Sequence, residues 1–257
     1  MEVKDMDSAR HAGKVAIITG AGSGIGRATA LRLSSEGARV IGCDVVEAGL
    51  AETKSAIEKA GFQAEFVTAD VTRQQDVEKI VAAAGPHIDI LANVAGIMDH
   101  FLPLGEVDDA TWDRVLDVNL TGVMRLSRAV LPVMLSAGKG TIVTVASEAS
   151  LGAGAAGVAY TTSKHGVIGL VKSIAYFYGP RGIRSNAVLP GAVITNIGTT
   201  AAPRVPWAME RAQLSMAAMP APAQPDEIAA AISWLASDEA SNVNGATMTA
   251  DGGWSTA

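Results

Sequence analysis

Cysteine occurs once in the 257 residues, at Cys43. A single thiol forms no internal disulfide, and its place in an apolar run predicts a small buried hydrophobe. No apolar run reaches the roughly 18 residues that a membrane span needs. Met1–Asp7 holds Glu2, Asp5 and Asp7 and no apolar segment, unlike a secretory signal. Residues 1–12 therefore read as a loosely ordered extension, and the cytoplasm is the expected location. Lysines and arginines are not clustered and the net charge is −6, which argues against nucleic acid as a partner. His87 and His165 have no Cys, Asp or Glu at ligand spacing, so no metal site is expected. No linker, composition break or internal repeat divides the chain, and 13–257 reads as one domain.

Short apolar runs alternate instead with helical patterns. Strands are expected near 14–19, 38–43, 63–69, 88–92, 140–146, 183–189 and 245–249. Helices are expected near 24–36, 47–60, 73–83, 111–137, 157–179 and 225–237. Such alternation predicts an α/β fold, a parallel sheet with helices on both faces and right-handed crossovers. Ligands of such sheets gather beyond the C-terminal strand ends, and Gly20–Gly26, Asp44, Asp70, Asn93–Gly96, Ser147 and Pro190–Thr195 all follow a strand's end.

Lys14–Thr19 is a buried-strand pattern that runs into Gly20-Ala21-Gly22-Ser23-Gly24-Ile25-Gly26 and then a helix. Strand, glycine turn and helix make a phosphate cradle, because glycines allow close backbone approach and the helix N-terminus adds unpaired N–H groups. The spacing is Thr-Gly-x-x-x-Gly-x-Gly from Thr19, with an extra glycine at Gly22. Asp44 closes the second strand, placed to accept hydrogen bonds from the adenosine ribose and to repel a 2′-phosphate. Val45, Val46 and Glu47 follow it rather than a base, so NAD is expected over NADP. Asp44 is also a candidate N-cap for the next helix.

Tyr160 and Lys164 are spaced to share one helix face. An ammonium beside a phenol favours the phenolate, so the tyrosine is expected to titrate low enough to exchange protons near neutral pH. Ser147 ends the apolar run Thr141–Ala146.

These residues together resemble the short-chain dehydrogenase/reductase family, in its compact single-domain branch, over nearly all of Gly13–Ser255. The cofactor loop is matched by Thr19–Gly26, with Gly20, Ser23, Gly24, Ile25 and Gly26 as binding residues. Asp70 and Val71 match the pair that contacts adenine. Asn93-Val94-Ala95-Gly96 takes the place of Asn-Asn-Ala-Gly, with Asn93, Ala95 and Gly96 toward the cofactor. Valine at 94 removes or reroutes one polar contact. Asn119, Ser147, Tyr160 and Lys164 match the catalytic residues. Pro190-Gly191-Ala192-Val193-Ile194-Thr195 matches the segment at the nicotinamide carboxamide, through Pro190, Gly191, Val193 and Thr195, and Asn244-Gly245 through Asp251–Gly253 follows the closing strand and turn. The segment 77–87 is shorter than usual, implying a trimmed third helix.

The resemblance implies a doubly wound Rossmann-type fold of seven parallel strands, NAD as cofactor and a homotetramer. It also implies hydride transfer between NAD(H) and a secondary alcohol or ketone. Tyr160 is then the acid/base group, Ser147 a donor to the substrate oxygen, Lys164 a ligand of the nicotinamide ribose and Asn119 the holder of a relay water. Residues 194–222 match the substrate lid. Their methionines, with Trp207 as a substrate contact, point to an apolar, fairly bulky substrate, although the same residues would serve an ordinary amphipathic helix. The small-residue run 151–157 is expected to leave room beside Ser147, and Met98, Phe101 and Leu102 to line another wall. His100 reads as a solvated loop residue. A non-catalytic dinucleotide-binding redox sensor on this fold would lack one of Ser147, Tyr160 and Lys164. A glycine-loop methyltransferase leaves the Tyr160/Lys164 pair unexplained, and an extended-branch epimerase needs a longer C-terminal domain.

Overall fold

The computed structural model describes residues 10–199 and 203–256. Seven strands form one parallel sheet: β1 (Val15–Thr19), β2 (Arg39–Asp44), β3 (Ala64–Thr68), β4 (Ile90–Asn93), β5 (Gly140–Val145), β6 (Ile183–Pro190) and β7 (Thr247–Ala250). Their order is β3-β2-β1-β4-β5-β6-β7. The direction of growth reverses between β1 and β4, and ligand crevices form at such switch points.

The inner strands β1 and β4 are almost wholly apolar because both faces are covered. Neighbouring residues face opposite ways: Ile18 packs with Val40, Val143 and Val188, whereas Ile17 packs with Ile41, Leu91 and Ile142. The first face is covered by α1 (Gly24–Ser35), α2 (Glu47–Lys59) and α8 (Pro225–Ala236), through Leu33, Ile57, Ile228 and Ile232. The second is covered by α3 (Gln74–Ala84) and α5 (Val123–Ala137), through Val77, Ile80, Leu126, Val130 and Met134, and by α6 (Val158–Tyr178), through Val167 and Val171.

The single helix expected at 111–137 is three pieces: α4 (Asp109–Leu116), a π-helical turn (Asp117–Gly122) and α5. By length and composition this stretch passes as a bilayer span. Its apolar face, however, is packed under the sheet, as in a core helix. The third helix is short, 11 residues, and stops at Gly85 (φ 81°). Within the expected lid are a helical turn, Asn196–Thr199, and α7 (Pro206–Met216); residues 200–202 lie outside the described residues. Of the N-terminal extension, 1–9 also lie outside them. Arg10 and His11 are not loose: His11 is buried, its Nε2 3.2 Å from Ser233 Oγ, and Arg10 pairs with Glu36 at 3.6 Å. Cys43 is buried in β2, where burial pushes its thiol well up.

Candidate active site

The glycine turn is closed by backbone contacts that leave no room for side chains. A Cβ on Gly26 would lie 2.0 Å from the Gly20 carbonyl oxygen. The Thr19 hydroxyl accepts hydrogen bonds from the Val94 and Ala95 N–H groups at 2.9 and 3.0 Å, tying the first turn to the end of β4. This is how the valine at 94 is accommodated: its backbone carries the polar contact and its side chain joins the core. Ser23 stands at the N-cap of α1 but its side chain caps nothing, and the first turn of α1 holds no acid. The helix N-terminus is thus open, with donors and partial positive charge turned to what lies beyond.

What lies beyond is a cleft of about 420 Å³ along the C-terminal ends of the strands. Gly20, Ser23, Gly24, Ile25 and Gly26 line one end, with Asp44, Asp70 and Val71 beside them. Ala95 and Gly96 form the middle. Ser147, Tyr160 and Lys164 line the far wall, and Pro190, Gly191, Val193 and Thr195 complete it. One cavity therefore unites nearly every residue singled out from the sequence.

Asp44 holds the turn as well as facing the cleft. Its Oδ2 accepts from Gly22 N–H and its Oδ1 from Val46 N–H, each at 3.0 Å. A Cβ on Gly22 would stand 2.9 Å from Oδ2, which accounts for the extra glycine in the loop. Asp44 does not cap α2, whose N-cap is Val46. Arg27, the base in this loop, is committed to the Gly22 carbonyl at 2.5 Å and to Glu52 at 2.7 Å.

A dinucleotide fits these residues on three observations. The helix N-terminus is uncapped, a carboxylate sits at the end of β2, and the Thr195 hydroxyl is buried with no hydrogen-bond partner. An orphaned polar atom at a cleft wall is what a bound polar group would satisfy.

At the far wall, Ser147 begins a short 3-10 turn, Glu148–Ser150, and its Oγ accepts from Ala149 N–H at 3.1 Å. The same hydroxyl lies near enough to the Tyr160 phenol to favour its ionised form, and both line the cleft. Helix α6 carries Tyr160 and Lys164 on one buried face. The Lys164 ammonium donates to the Val145 carbonyl at 2.9 Å and lies 5.5 Å from the centre of the Tyr160 ring.

The phenol does not titrate as expected. Burial pushes Tyr160 up to about 12; the Ser147 hydroxyl opposes this and the nearby Asp99 charge adds to it. Burial also pushes Lys164 down, to about 8. Proximity of a cation was the basis of the expectation; loss of water around the phenolate is instead the largest influence.

Three predicted residues do not line the cleft. The Asn93 amide points into the interior, donating to Ser127 at 3.2 Å and Thr144 at 3.4 Å. Asn119, in the π-helical turn, accepts from Ile97 N–H and donates to the Ile97 carbonyl, both at 2.9 Å. It thus sits behind Gly96 rather than in the cavity. Trp207 is 57% exposed and lines a second cavity of about 500 Å³ with Phe101, Pro103 and Leu214, not the one holding Ser147. The small-residue run does not simply leave space either: a Cβ on Gly154 would strike Ser215 of α7 at 2.4 Å. His100 is engaged, its Nε2 3.0 Å from Arg204 Nη2. Met98 packs beside Tyr160, while Leu102 is buried.

Other site residues went unread. Arg114 lines the cleft beside Asp70, at 3.7 Å from its carboxylate. Glu148, next to Ser147, has a buried carboxyl oxygen with no partner, and burial pushes its pKa up. Asp99 is fully buried against α6. None belongs to a periodic or glycine-marked pattern. Asp99 alone had an indirect signal: α6 starts at Gly157-Val158-Ala159, without a capping side chain of its own.

A sequence profile described as Enoyl-(Acyl carrier protein) reductase matches residues 20–255. The chain is 41% identical to the 3beta-hydroxysteroid dehydrogenase 2 of Eggerthella lenta, over 97% of this chain and 99% of that one. Among solved structures, a short chain dehydrogenase from Mycobacterium paratuberculosis bound to NAD superposes with a TM-score of 0.88 at 32% identity, over 96% of this chain and 100% of that one. A protein described as an NAD(P)-dependent gluconate 5-dehydrogenase from Beutenbergia cavernae, with bound NADP, superposes at 0.86 and 37%, over 97% and 100%.

Proposed function

The chain belongs to the short-chain dehydrogenase/reductase family, and from that premise we propose that it transfers a hydride between NAD(H) and a secondary alcohol or ketone. One observation carries this reading: Ser147, Tyr160 and Lys164, the last two on one helix face, line the same cleft as the open N-terminus of α1 and Asp44.

A bound nicotinamide dinucleotide supplies the hydride; the protein supplies position, proton and field. Tyr160 holds its proton firmly, with a pKa of about 12. It is therefore set to donate to a carbonyl oxygen that gains negative charge, and to recover a proton in the reverse direction. Ser147 donates to the same oxygen and steadies its charge. Lys164, anchored by the Val145 carbonyl, brings a positive charge close to the phenol ring. Asn119 fixes Ile97 and so the wall at Gly96, where a Cβ would stand 3.5 Å from Lys164 Nζ. A relay water held by Asn119 is proposed from the family resemblance.

The dinucleotide is held by Gly20, Ser23, Gly24, Ile25 and Gly26, by Asp70, Val71, Ala95 and Gly96, and by Pro190, Gly191, Val193 and Thr195. NAD rather than NADP is favoured by Asp44, whose charge repels a 2′-phosphate, and by the commitment of Arg27 to Glu52. The substrate is apolar and fairly bulky. This rests on the apolar wall of Ile97, Val118 and Ile197 and on the similarity to a hydroxysteroid dehydrogenase. A cytoplasmic homotetramer, with residues 194–222 as lid, completes the reading.

The test is turnover of a panel of cyclic and aromatic alcohols with NAD and NADP, followed at the nicotinamide absorbance, in the wild type and in Tyr160→Phe. Loss of one general acid/base group costs about 10²–10⁴ in rate. Near-normal turnover in the variant removes Tyr160 from the chemistry. A redox sensor on this fold would bind NADH and turn over nothing on the panel.

A further inference from the structure

Helix α6, which carries Tyr160 and Lys164, has Gly157 at its N-cap and so no capping side chain of its own. Its first N–H groups are met from elsewhere in the chain. Asp99, in the segment after β4, is fully buried. One carboxylate oxygen accepts from Gly157 N–H at 3.0 Å and Phe101 N–H at 3.2 Å; the other accepts from Tyr160 N–H at 2.9 Å. Val158 N–H donates in turn to the Leu102 carbonyl at 2.9 Å. The two segments press together closely. A Cβ on Gly157 would lie 2.6 Å from Asp99 Oδ2 and 2.4 Å from Leu102 N.

Between these bonds, His100 and Phe101 sit in the left-handed region, with φ of 58° and 55°. Residues with side chains rarely stay there unless both ends are pinned, and here Asp99 pins one end and Leu102 the other. The preceding residues reach the rest of the site: Ile97 exchanges two hydrogen bonds with Asn119.

We propose that Asp99 is a positioning residue for Tyr160, clamping the backbone of the first turn of α6 and setting a buried negative charge beside it. This rests on the reading of Tyr160 as the acid/base group.

The surroundings make the charge count. Against the ring, α4 presents Trp112 and Val115, the turn after β5 presents Ala149, and the segment after β4 presents Ile97 and Met98, all apolar. The charged or titratable groups near it are Lys164 one turn along α6, Asp99, and Glu148 beyond Ser147, itself close enough to Asp251 to feel its charge. Of these, the Asp99 charge is the one that acts on the phenol's titration. The anion also offsets the partial positive charge of the α6 N-terminus. Asp99 adds to the upward push on Tyr160, so neutralising it moves the phenol down.

The test titrates the phenol directly and needs no substrate. The chain has three tyrosines, so tyrosinate absorbance against pH is recorded as the difference between each protein and its Tyr160→Phe counterpart. Far-UV circular dichroism defines the pH range in which each stays folded. In Asp99→Asn the Tyr160 titration moves to lower pH by about one unit, the size expected for one charge several ångströms away at an effective dielectric near 20. Asp99→Glu disturbs the clamp but keeps the charge, and leaves the titration where the wild type has it. Equal titrations in wild type and Asp99→Asn, an Asp99→Asn phenol that does not titrate in the folded range, or equal shifts in Asn and Glu variants each overturn the proposal. The functional reading fails separately, through active Tyr160→Phe.

Discussion

Lys164 is 3% exposed, and burial lowers its pKa from 10.5 to about 8. Below about pH 8 the ammonium is charged in both folded and unfolded chains, and the fold carries the cost of burying it. A fall of that size corresponds to about 3 kcal/mol. Between about pH 8 and 10.5 the folded chain gives up this proton while the unfolded chain keeps it. The unfolded state then binds more protons, so stability rises with pH through that window. Lys164→Met keeps the length and apolar stem without the charge, and has no such rise. Unfolding free energy of wild type minus variant should climb by about 2–3 kcal/mol between roughly pH 7 and pH 10.

The Val145 carbonyl loses its lysine donor in the variant, at a cost of about 1–3 kcal/mol. That cost offsets the whole curve without changing its slope. Tyr160 titrates in the unfolded chain only near pH 10, so the window below is free of it. Urea unfolding of both proteins at a series of pH values and one fixed protein concentration measures the difference. Parallel stability curves would refute the claim that the fold bears a buried ammonium. The variant should also lose turnover, so that a charge costly to bury is one the proposed chemistry requires.

Asp44→Ala removes the carboxylate beside Gly22, and the ratio of kcat/KM for NAD over NADP should fall by about tenfold or more; an unchanged ratio would place cofactor choice elsewhere. His11 titrates below its ordinary 6.5, chiefly because it is buried, with the Glu36 charge opposing. The unfolded chain therefore takes up this proton first as pH falls, and stability is lost on acidification below about 6.5. His11→Gln should flatten that acid limb in thermal melts recorded across pH 5–8, as an order-of-magnitude window around the histidine range; an unchanged limb would assign it to other groups.

Which parts of the site could be read from the sequence follows from how far apart their partners lie. The glycine turn, Asp44 and the Tyr160/Lys164 face are local: a strand end, a turn and a helical repeat each bring neighbours in sequence into one place. The seven strands were legible for the same reason, since runs such as Val15–Thr19 are apolar on both faces. The break at Asp117–Gly122 was not, because a π-helical turn is set by what Asn119 bonds across the fold rather than by its own composition. Trp207 was misplaced because an apolar residue in a lid segment does not declare which of two adjacent cavities it faces. The titration of Tyr160 was misjudged because spacing reveals a neighbouring cation but not the water that burial takes away. Asp99 lies 61 positions from the N–H it satisfies at Tyr160, beyond any pattern of local spacing. Yet a 21-residue helix that opens on Gly157-Val158-Ala159 leaves N–H groups that something must meet. Acids in the loops at the same strand ends are placed to meet them, and Asp99, buried shortly after β4, does so.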